Sequence, residues 1–143
     1  MRHETLICFD FGEKKIGVAV GQTITGTATP LETVHVRNNK PDWNRIAKLI
    51  DQWRPTALVV GLPLNMDGTR QPMTELADAF ARRLEERYHL PVHRADERLS
   101  TIEAKHRLGD IENLDPVAAQ IILEGWLLEY KKVSDPDVTM TDQ

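Results

Sequence analysis

Asp10 is the first residue of this sequence whose type and position point to chemistry. It ends an apolar run, residues 6–9, and Gly12 follows at the start of a turn. A charged group at the end of a buried strand is unfavourable unless another group pairs with it or binds it. For Asp10 alone, a turn in which the carboxylate accepts backbone N–H groups is the ordinary explanation. A metal-binding or catalytic role therefore requires further carboxylates at the same place.

Two further carboxylates stand at the ends of predicted elements. Glu97 follows a short predicted strand at residues 91–95, and Ser100 with Glu103 forms a capping box that starts a helix just beyond it. Glu97 is therefore expected in the turn between a strand end and a helix start. Asp115 stands at the start of the last predicted helix, where a simple N-cap role also explains it.

These three carboxylates are expected at one edge of a sheet, and their chemistry suits a hard metal ion. Oxygen donors without cysteine or histidine ligands favour Mg²⁺ or Mn²⁺. Two such ions about 3.5–4 Å apart activate water and stabilise the leaving oxygen in phosphodiester cleavage. Carboxylates packed this closely repel one another, so a cation is also needed to make the site tolerable. Asp10, Glu97 and Asp115 together therefore predict a metal site of this kind.

Apolar periodicity predicts the elements that position these residues. Alternating or continuous apolar runs predict strands, and apolar residues at helical spacing predict helices. The predicted order is β-β-β-α-β-α-β-α-α, with the first two strands forming a hairpin. The predicted strands cover residues 6–10, 16–21, 31–36, 57–61 and 91–95, and the predicted helices cover residues 42–53 and 71–88, a segment from Ser100 and a segment from Asp115 or Pro116.

The run 57–61 decides the fold class. It is almost wholly apolar, which is typical of a strand buried on both faces in a parallel sheet. Helices between successive strands predict right-handed crossovers. We therefore expect an α/β domain with a five-stranded mixed sheet flanked by helices, and ligands at the carboxyl ends of its parallel strands.

Residues 62–69 follow the strand 57–61 at that same edge. Asn65 and Asp67 are candidates for contact with substrate or metal. A turn in which Asp67 bonds its own backbone is at least as good an explanation. Asn65 is therefore a candidate substrate-binding residue, and Asp67 stays open between the two interpretations.

Helix 71–88 carries its apolar residues on one side and three arginines on or beside the other. The arginines are most simply a solvated face paired with neighbouring glutamates, and phosphate contacts are the sharper alternative. The apolar side is expected to consist of Leu76, Ala77, Phe80, Ala81, Leu84 and Tyr88, and the arginines are Arg82, Arg83 and Arg87.

Length and composition bound the remaining possibilities. The chain has 143 residues, of which 41% are hydrophobic and 28% charged, which fits one globular domain. We expect that domain at residues 1–132 and a flexible tail at residues 133–143, where apolar periodicity ends. The net charge of −4 does not indicate nucleic-acid binding, but a local basic patch could still bind nucleic acid in an acidic protein.

The polar N-terminus and the single cysteine indicate the expected compartment. The polar residues 1–5 lead directly into the first predicted strand, so no signal peptide is expected, and no apolar run reaches the length of a membrane span. Cys8 lies within that strand as an expected buried thiol, so no internal disulfide can form. A cytoplasmic protein with no membrane partner is the resulting expectation.

At three separate positions the sequence resembles one known family, YqgF, also called RuvX. The motifs are DFGEKKIGVA at residues 10–19, VGLPLNMDG at residues 60–68 and DERLSTIEA at residues 96–104. They occur in the family's order, and the resemblance extends from about Ile7 to Tyr130. It implies an RNase H-like fold related to the RuvC resolvases.

The resemblance also implies a function. It implies a metal-dependent nuclease with Asp10, Glu97 and Asp115 as catalytic metal ligands and Mg²⁺ or Mn²⁺ as cofactor. Lys14 and Arg98 match family positions that are suited to holding a phosphate. Members are described as nucleases that mature the precursor of 16S ribosomal RNA or as Holliday-junction resolvases, and the first description is preferred here. The chain is expected as a monomer or a homodimer, and a resolvase would require a symmetric dimer.

The sequence departs from the family pattern before its last helix. The loop there is shorter and less basic than is usual, Asn113 stands where lysine is common, and Pro116 follows Asp115. These changes keep open a third function, a non-catalytic RNA-binding or transcription-associated module. A sugar-kinase or actin-like phosphate binder also carries an Asp-x-Gly turn, but it needs a second domain that 143 residues cannot supply.

Overall fold

A computed structural model describes residues 4–97 and 114–134 of the chain, with residues 114 and 130–134 described by their backbone alone. The predicted helix from Ser100, the candidate Arg98 and residues 135–143 of the predicted tail lie outside these ranges. The described strands are β1 (Thr5–Phe11), β2 (Lys15–Gln22), β3 (Thr27–Arg37), β4 (Lys40–Pro41), β5 (Ala57–Leu62) and β6 (Val92–Asp96), and the described helices are α1 (Trp43–Trp53), α2 (Pro72–Tyr88) and α3 (Leu114–Ser134).

The strands form one mixed sheet in the order β4-β3-β2-β1-β5-β6. Strands β1 to β4 pair antiparallel, whereas β1, β5 and β6 are parallel to one another. The carboxyl ends of β1, β5 and β6 therefore meet at one edge, which we call the carboxyl edge. The α/β class and the mixed sheet are confirmed.

The expected strand number of five was wrong, because a short sixth strand pairs with the end of β3. Asn38 and Asn39 have φ angles of 53° and 62°, and this pair of left-handed residues is the turn that a tight hairpin requires. It pairs Arg37 with Lys40 at the border of the sheet. The sequence indicated only a loop here, since a two-residue strand leaves no periodic pattern.

Strand β3 also begins earlier than expected, at Thr27 instead of residue 31. It pairs with β2 from Thr27 opposite Gln22 onwards. Pro30 fits within it because it lies opposite Ala19, where the register with β2 is irregular. The turn that precedes β3 is therefore confined to residues 23–26.

Helices cover both faces of the sheet and divide the core into two clusters. Helices α1 and α2 cover one face, where the cluster is built from large side chains, and α3 covers the other, where small residues are frequent. The first cluster includes Ile7, Phe9, Val18, Leu58, Val60, Leu49, Phe80 and Leu84, and the second includes Leu6, Cys8, Ala19, Val59, Ala95, Ala119, Ile122 and Leu123. The expectation of a buried Cys8 is confirmed.

The two helices on the first face begin close to the predicted residues. Asp42 caps α1 by accepting a hydrogen bond from the Arg45 N–H at 3.1 Å, as expected. On α2, Thr74 is buried whereas Leu76 is 46% exposed, so the expected apolar side was wrong in including Leu76. The helix is rotated so that its apolar face is centred on Ala77 and Phe80. None of the helices in the described ranges is long and apolar enough to cross a membrane.

Candidate active site at the carboxyl edge

Asp10 lies between two glycines in one row of the sheet. The β1–β2 register places Asp10 opposite Gly17. On the other side, Phe9 pairs with Val60, so Asp10 and Gly61 are the next positions along both strands. Side chains alternate along a strand, so Asp10 faces the same side as Cys8, towards α3. The carboxylate therefore has no Cβ beside it in the row on either neighbouring strand.

The space above Gly17 is filled by the backbone of Asp115. A Cβ built on Gly17 would lie 1.9 Å from the Asp115 carbonyl oxygen and 2.9 Å from its Cα. The first turn of α3 therefore rests directly on the backbone of β2. Any larger residue at position 17 would push Asp115 away from Asp10, so glycine at this position sets the position of the third carboxylate.

The space above Gly61 is filled by the side chain of Glu97. A Cβ built on Gly61 would lie 2.9 Å from Glu97 Cγ and 3.2 Å from its Cδ. The Glu97 N–H donates to the Leu62 carbonyl at 3.2 Å, which holds the residue just beyond the end of β6. The Glu97 side chain therefore crosses Gly61 and approaches Asp10.

Asp10 and Glu97 form a hydrogen-bonded pair of carboxyl groups, and their pKa values reflect it. Burial, the Asp10 charge and the hydrogen bond with Asp10 raise the pKa of Glu97 to about 8. Burial raises the pKa of Asp10 to about 6, with a further rise from the Asp115 charge and an opposing effect of the Glu97 hydrogen bond. The pair therefore holds a proton near neutral pH, where two isolated carboxylates would both be charged.

Cys8 lies one position further along the same face. Burial raises the pKa of its thiol, and the nearby carboxylates Asp10 and Glu97 raise it further. Because the thiolate is the reactive form, this environment makes Cys8 a poor nucleophile. The site therefore offers carboxylate chemistry.

The donor set fits a hard divalent cation. Asp10, Glu97 and Asp115 supply oxygen donors, and a buried acid pair that retains a proton is stabilised when a cation replaces that proton. Among the residues in the described ranges, no three acidic, histidine or cysteine side chains are already grouped closely enough to hold an ion. The assembled part is the Asp10–Glu97 pair, and Asp115 contributes its charge from the first turn of α3.

The other candidate residues lie at the same edge but in exposed turns. Lys14 is exposed in the turn between β1 and β2. Asn65 is exposed in the loop after β5, where its Nδ2 donates to Thr69 Oγ1 at 2.9 Å. Asp67 Oδ1 accepts from the Thr69 N–H at 2.9 Å, so the turn interpretation describes Asp67. The carboxyl edge therefore carries the partly buried Asp10–Glu97 pair, with the Asn65 amide and the Lys14 ammonium group in exposed turns around it.

Gly17 and Gly61, the glycines that admit Asp115 and Glu97, were not identified as site residues from the sequence. A signal for one of them was present, because Gly17, Ala19 and Gly21 place small residues at every second position of β2. Small residues on one face of a strand indicate that another backbone approaches closely there. For Gly61 the signal was weaker, since it ends an apolar run and resembles an ordinary strand boundary.

The fold is similar to that of a RuvC structure. The structure of T. thermophilus RuvC in complex with a Holliday junction substrate superposes with a TM-score of 0.53 at 15% sequence identity, over 88% of this chain and 94% of that chain. At this identity the similarity concerns the fold, and it confirms the expected RNase H-like architecture.

The chain belongs to the RuvX family, whose model, described as Holliday junction resolvase, matches residues 4–129. A relative from Azotobacter vinelandii is 52% identical over 132 residues, covering 87% of this chain and 93% of its own length. Another from Yersinia pestis (strain Pestoides F) is 47% identical over 137 residues, covering 90% and 98%. Both carry the name "Putative pre-16S rRNA nuclease". The resemblance drawn from the three motifs is thereby confirmed.

Proposed function

We propose that this protein is a metal-dependent nuclease that hydrolyses phosphodiester bonds in structured RNA, with the precursor of 16S ribosomal RNA as its substrate. The observation that carries the proposal is the partly buried Asp10–Glu97 pair, with Asp115 held at the same edge by Gly17. The names of the relatives at 47–52% identity support the substrate class.

In this proposal Asp10, Glu97 and Asp115 hold Mg²⁺ or Mn²⁺ at the carboxyl edge. Such an ion supplies water activation and stabilisation of the leaving oxygen. Asp10 lies on the central strand β1, between β2 and β5, so its position is rigid, and it is the central ligand. Glu97, which holds a proton near neutral pH, would bind such an ion in its deprotonated form.

Lys14, Asn65 and Arg98 are assigned to the substrate. Lys14 and Asn65 are exposed in turns at the carboxyl edge, where their donors are accessible to a phosphate or a ribose hydroxyl. Arg98 follows Glu97 directly in the sequence and is suited to bidentate contact with a phosphate. These three residues position the strand and are expected to affect binding more than the chemical step.

A second candidate function is the resolution of four-way DNA junctions. The description of the matching family favours it. Cutting two strands of a junction symmetrically requires a two-fold dimer, so a resolvase must dimerise, whereas an RNA nuclease can act as a monomer. The mass of the protein in solution therefore separates the two functions in part.

A cleavage assay tests the proposal. The protein is incubated with precursor 16S ribosomal RNA and with a synthetic four-way DNA junction, each in Mg²⁺, Mn²⁺ or EDTA. Asp10→Asn and Glu97→Gln each replace one carboxyl group of the site by an amide, and Asp51→Asn on the exposed face of α1 is the matched control. We expect RNA cleavage that requires the ion, that falls at least about 1000-fold in both site variants and that persists in Asp51→Asn.

Three results would contradict the proposal. Cleavage that survives Asp10→Asn or Glu97→Gln would show that the site has been misassigned. Binding of the RNA without cleavage under any condition would identify a non-catalytic module. Preferential cleavage of the junction would favour the resolvase.

A further inference from the structure

A basic groove lies on the face of the sheet opposite Asp10, between the start of α1 and the second half of α2. It has a volume of about 580 Å³. Three cations and one carboxylate line it together with an aromatic ring, which gives it a local charge of +2 in a protein of net charge −4. The lining residues are Lys40, Trp43, Arg83, Glu86 and Arg87, which we call the α1–α2 groove.

The aromatic floor of the groove fixes one of its cations. Trp43 stacks on Phe80 with ring centroids 5.6 Å apart, and the Arg87 guanidinium lies 4.0 Å above the Trp43 ring. The Trp43 ring therefore packs against Phe80 and supports the Arg87 guanidinium. A guanidinium held flat on a ring keeps its N–H donors directed outwards around its rim.

The cations of the groove differ from the other arginines of α2 and its neighbours in their pairing. Arg82 pairs with Asp78 at 2.9 Å, and Arg94 pairs with Asp78 and Glu85 at 3.1 and 3.0 Å. Within the part of the chain that the structure describes, none of the groove's three cations forms an ion pair. The α1–α2 groove therefore presents positive charge that the protein itself does not neutralise.

The β3–β4 hairpin connects this groove with the turn that follows Asp10. A second cavity of about 440 Å³ is lined by the β3–β4 hairpin and by the turn after Asp10, where Lys14, Lys15 and Arg37 outnumber Glu13. Arg37 pairs with Lys40 across the hairpin, and Lys40 is the first cation of the groove. Basic residues therefore continue from the candidate active site, around the border of the sheet, to the opposite face.

We propose that the α1–α2 groove binds the phosphate groups of the RNA strand outside the segment that is held at Asp10. This inference rests on the proposed function for its substrate. The strand passes from the carboxyl edge over the β3–β4 hairpin, and Lys40, Arg83 and Arg87 contact its phosphates. Spacing suits this role, since Arg83 and Arg87 are one turn apart on α2 and face the same side. The groove adds affinity for long substrates and takes no part in the chemical step.

Binding is tested in the full-length chain carrying Asp10→Asn, so that cleavage does not interfere. Fluorescence anisotropy with a labelled single-stranded RNA is measured over a series of KCl concentrations. Each phosphate contact to a single strand contributes about 0.7 to the slope of log affinity against log salt concentration. The double variant Lys40→Gln, Arg83→Gln should therefore lower the slope by about 1.4 and weaken binding.

Two single variants provide the controls. Arg82→Gln removes the same charge from the adjacent residue of α2, which pairs with Asp78, and should leave the slope unchanged. Glu86→Gln removes the groove's carboxylate and should strengthen binding, a change that local disruption of α2 would not produce. A short RNA that reaches only the carboxyl edge should bind the double variant and the Asp10→Asn chain with equal affinity.

An unchanged salt slope in the double variant, or an equal decrease of the slope in Arg82→Gln, would overturn the proposal. An acidic protein surface would then be the better candidate for the partner of the groove. Failure of the proposed function is a separate result, because it appears as absent cleavage by the chain that retains Asp10. If cleavage is absent, a change in RNA binding in the groove variants would still support the groove as an RNA-binding surface.

Discussion

The two faces of the sheet differ in the size of their side chains, and the difference separates the residues that stabilise the domain from those that shape the candidate active site. On the face covered by α1 and α2, Phe80 packs against Phe9 and Phe11 with ring centroids 5.5 and 5.1 Å away. On the face covered by α3, strand β2 presents Gly17, Ala19 and Gly21. Large side chains bury the area that stabilises the domain, whereas small ones let a helix approach the sheet closely.

The close approach extends along the whole of β2. A Cβ on Gly17 would meet the backbone of Asp115, and a Cβ on Gly21 would lie 2.8 Å from Leu123 Cδ2. Four residues of a strand span about 13 Å, and the eight residues between Asp115 and Leu123 span about 12 Å of helix. Gly17 and Gly21 therefore contact α3 at two points with nearly the same spacing on the strand and on the helix. These contacts fix the distance of α3 from β2 and its position along the strand.

Removal of the central ring should have the largest effect on stability. Phe80→Ala deletes contacts with Phe9, Phe11 and Trp43, and a buried phenylalanine of this kind contributes about 3–5 kcal/mol to the free energy of unfolding. Leu76→Ala, on the exposed side of the same helix, should cost less than about 0.5 kcal/mol. Urea denaturation measures both, and equal losses would contradict the assignment of the large-residue face as the stabilising one.

A change on the small-residue face should mainly affect activity. Gly17→Ala places a Cβ where the Asp115 carbonyl oxygen lies, so α3 must shift, and a displacement of about 1 Å typically costs about 100-fold in rate. Val18→Ala, the next residue and on the other face, should cost about 2 kcal/mol of stability while it preserves kcat. Cleavage rates and urea denaturation of the two variants provide the comparison.

Two results in Gly17→Ala and Val18→Ala would contradict the proposed difference between the two faces. Full activity in Gly17→Ala would show that the position of Asp115 does not matter for the site. A loss of kcat in folded Val18→Ala would show that the large-residue face also controls the chemistry.

The acid pair should produce a smaller effect that depends on pH. The folded protein raises the pKa of Glu97 to about 8 and that of Asp10 to about 6, so it binds protons more tightly than the unfolded chain. The stabilisation is therefore complete below the ordinary carboxyl pKa near 4 and is lost as pH rises through 8. Without added metal, Asp10→Asn should melt a few degrees above wild type at pH 9, and this advantage should disappear at pH 4.

Thermal melts across this range check the sign of the effect, and Asp51→Asn, a charge change outside the site, should show no such trend. An Asp10→Asn protein that is less stable than wild type at pH 9 would show that the two carboxyl groups do not repel each other in the folded state.

The sequence predicted the elements best where burial produces a period. Strand β5 and helices α1 and α2 were located to within one or two residues, because apolar runs and helical spacing follow directly from what each face buries. Strand β4 was missed since its formation depends on the left-handed pair Asn38 and Asn39. Leu76 was wrongly placed on the apolar side of α2 because its residue type was taken as the signal, whereas the buried side includes the polar Thr74.

The candidate site was predictable as a set of carboxylates but not as a geometry. Asp10 lies near the end of β1 and Glu97 directly follows β6, and the parallel strands β1, β5 and β6 end at one edge, so their proximity could be anticipated from topology. The position of Asp115 depends on how closely α3 approaches β2, and this depends on the absence of a side chain at Gly17. Glycine adds nothing to an apolar pattern, so the role of Gly17 becomes visible only when the packing of α3 on β2 is known.

The binding of Mn²⁺ measured by isothermal titration calorimetry tests the central claim most directly, because it concerns the carboxylates without requiring a substrate. At pH 7 the wild-type protein should bind the ion, Asp10→Asn and Glu97→Gln should each bind at least about tenfold more weakly, and Asp51→Asn should match wild type. The Mn²⁺ affinity of Gly17→Ala should lie between that of wild type and those of the two carboxylate variants, since the substitution displaces Asp115 and retains all three carboxylates. Equal Mn²⁺ affinities in wild type, Asp10→Asn and Glu97→Gln would contradict the assignment of the carboxyl edge as a metal site.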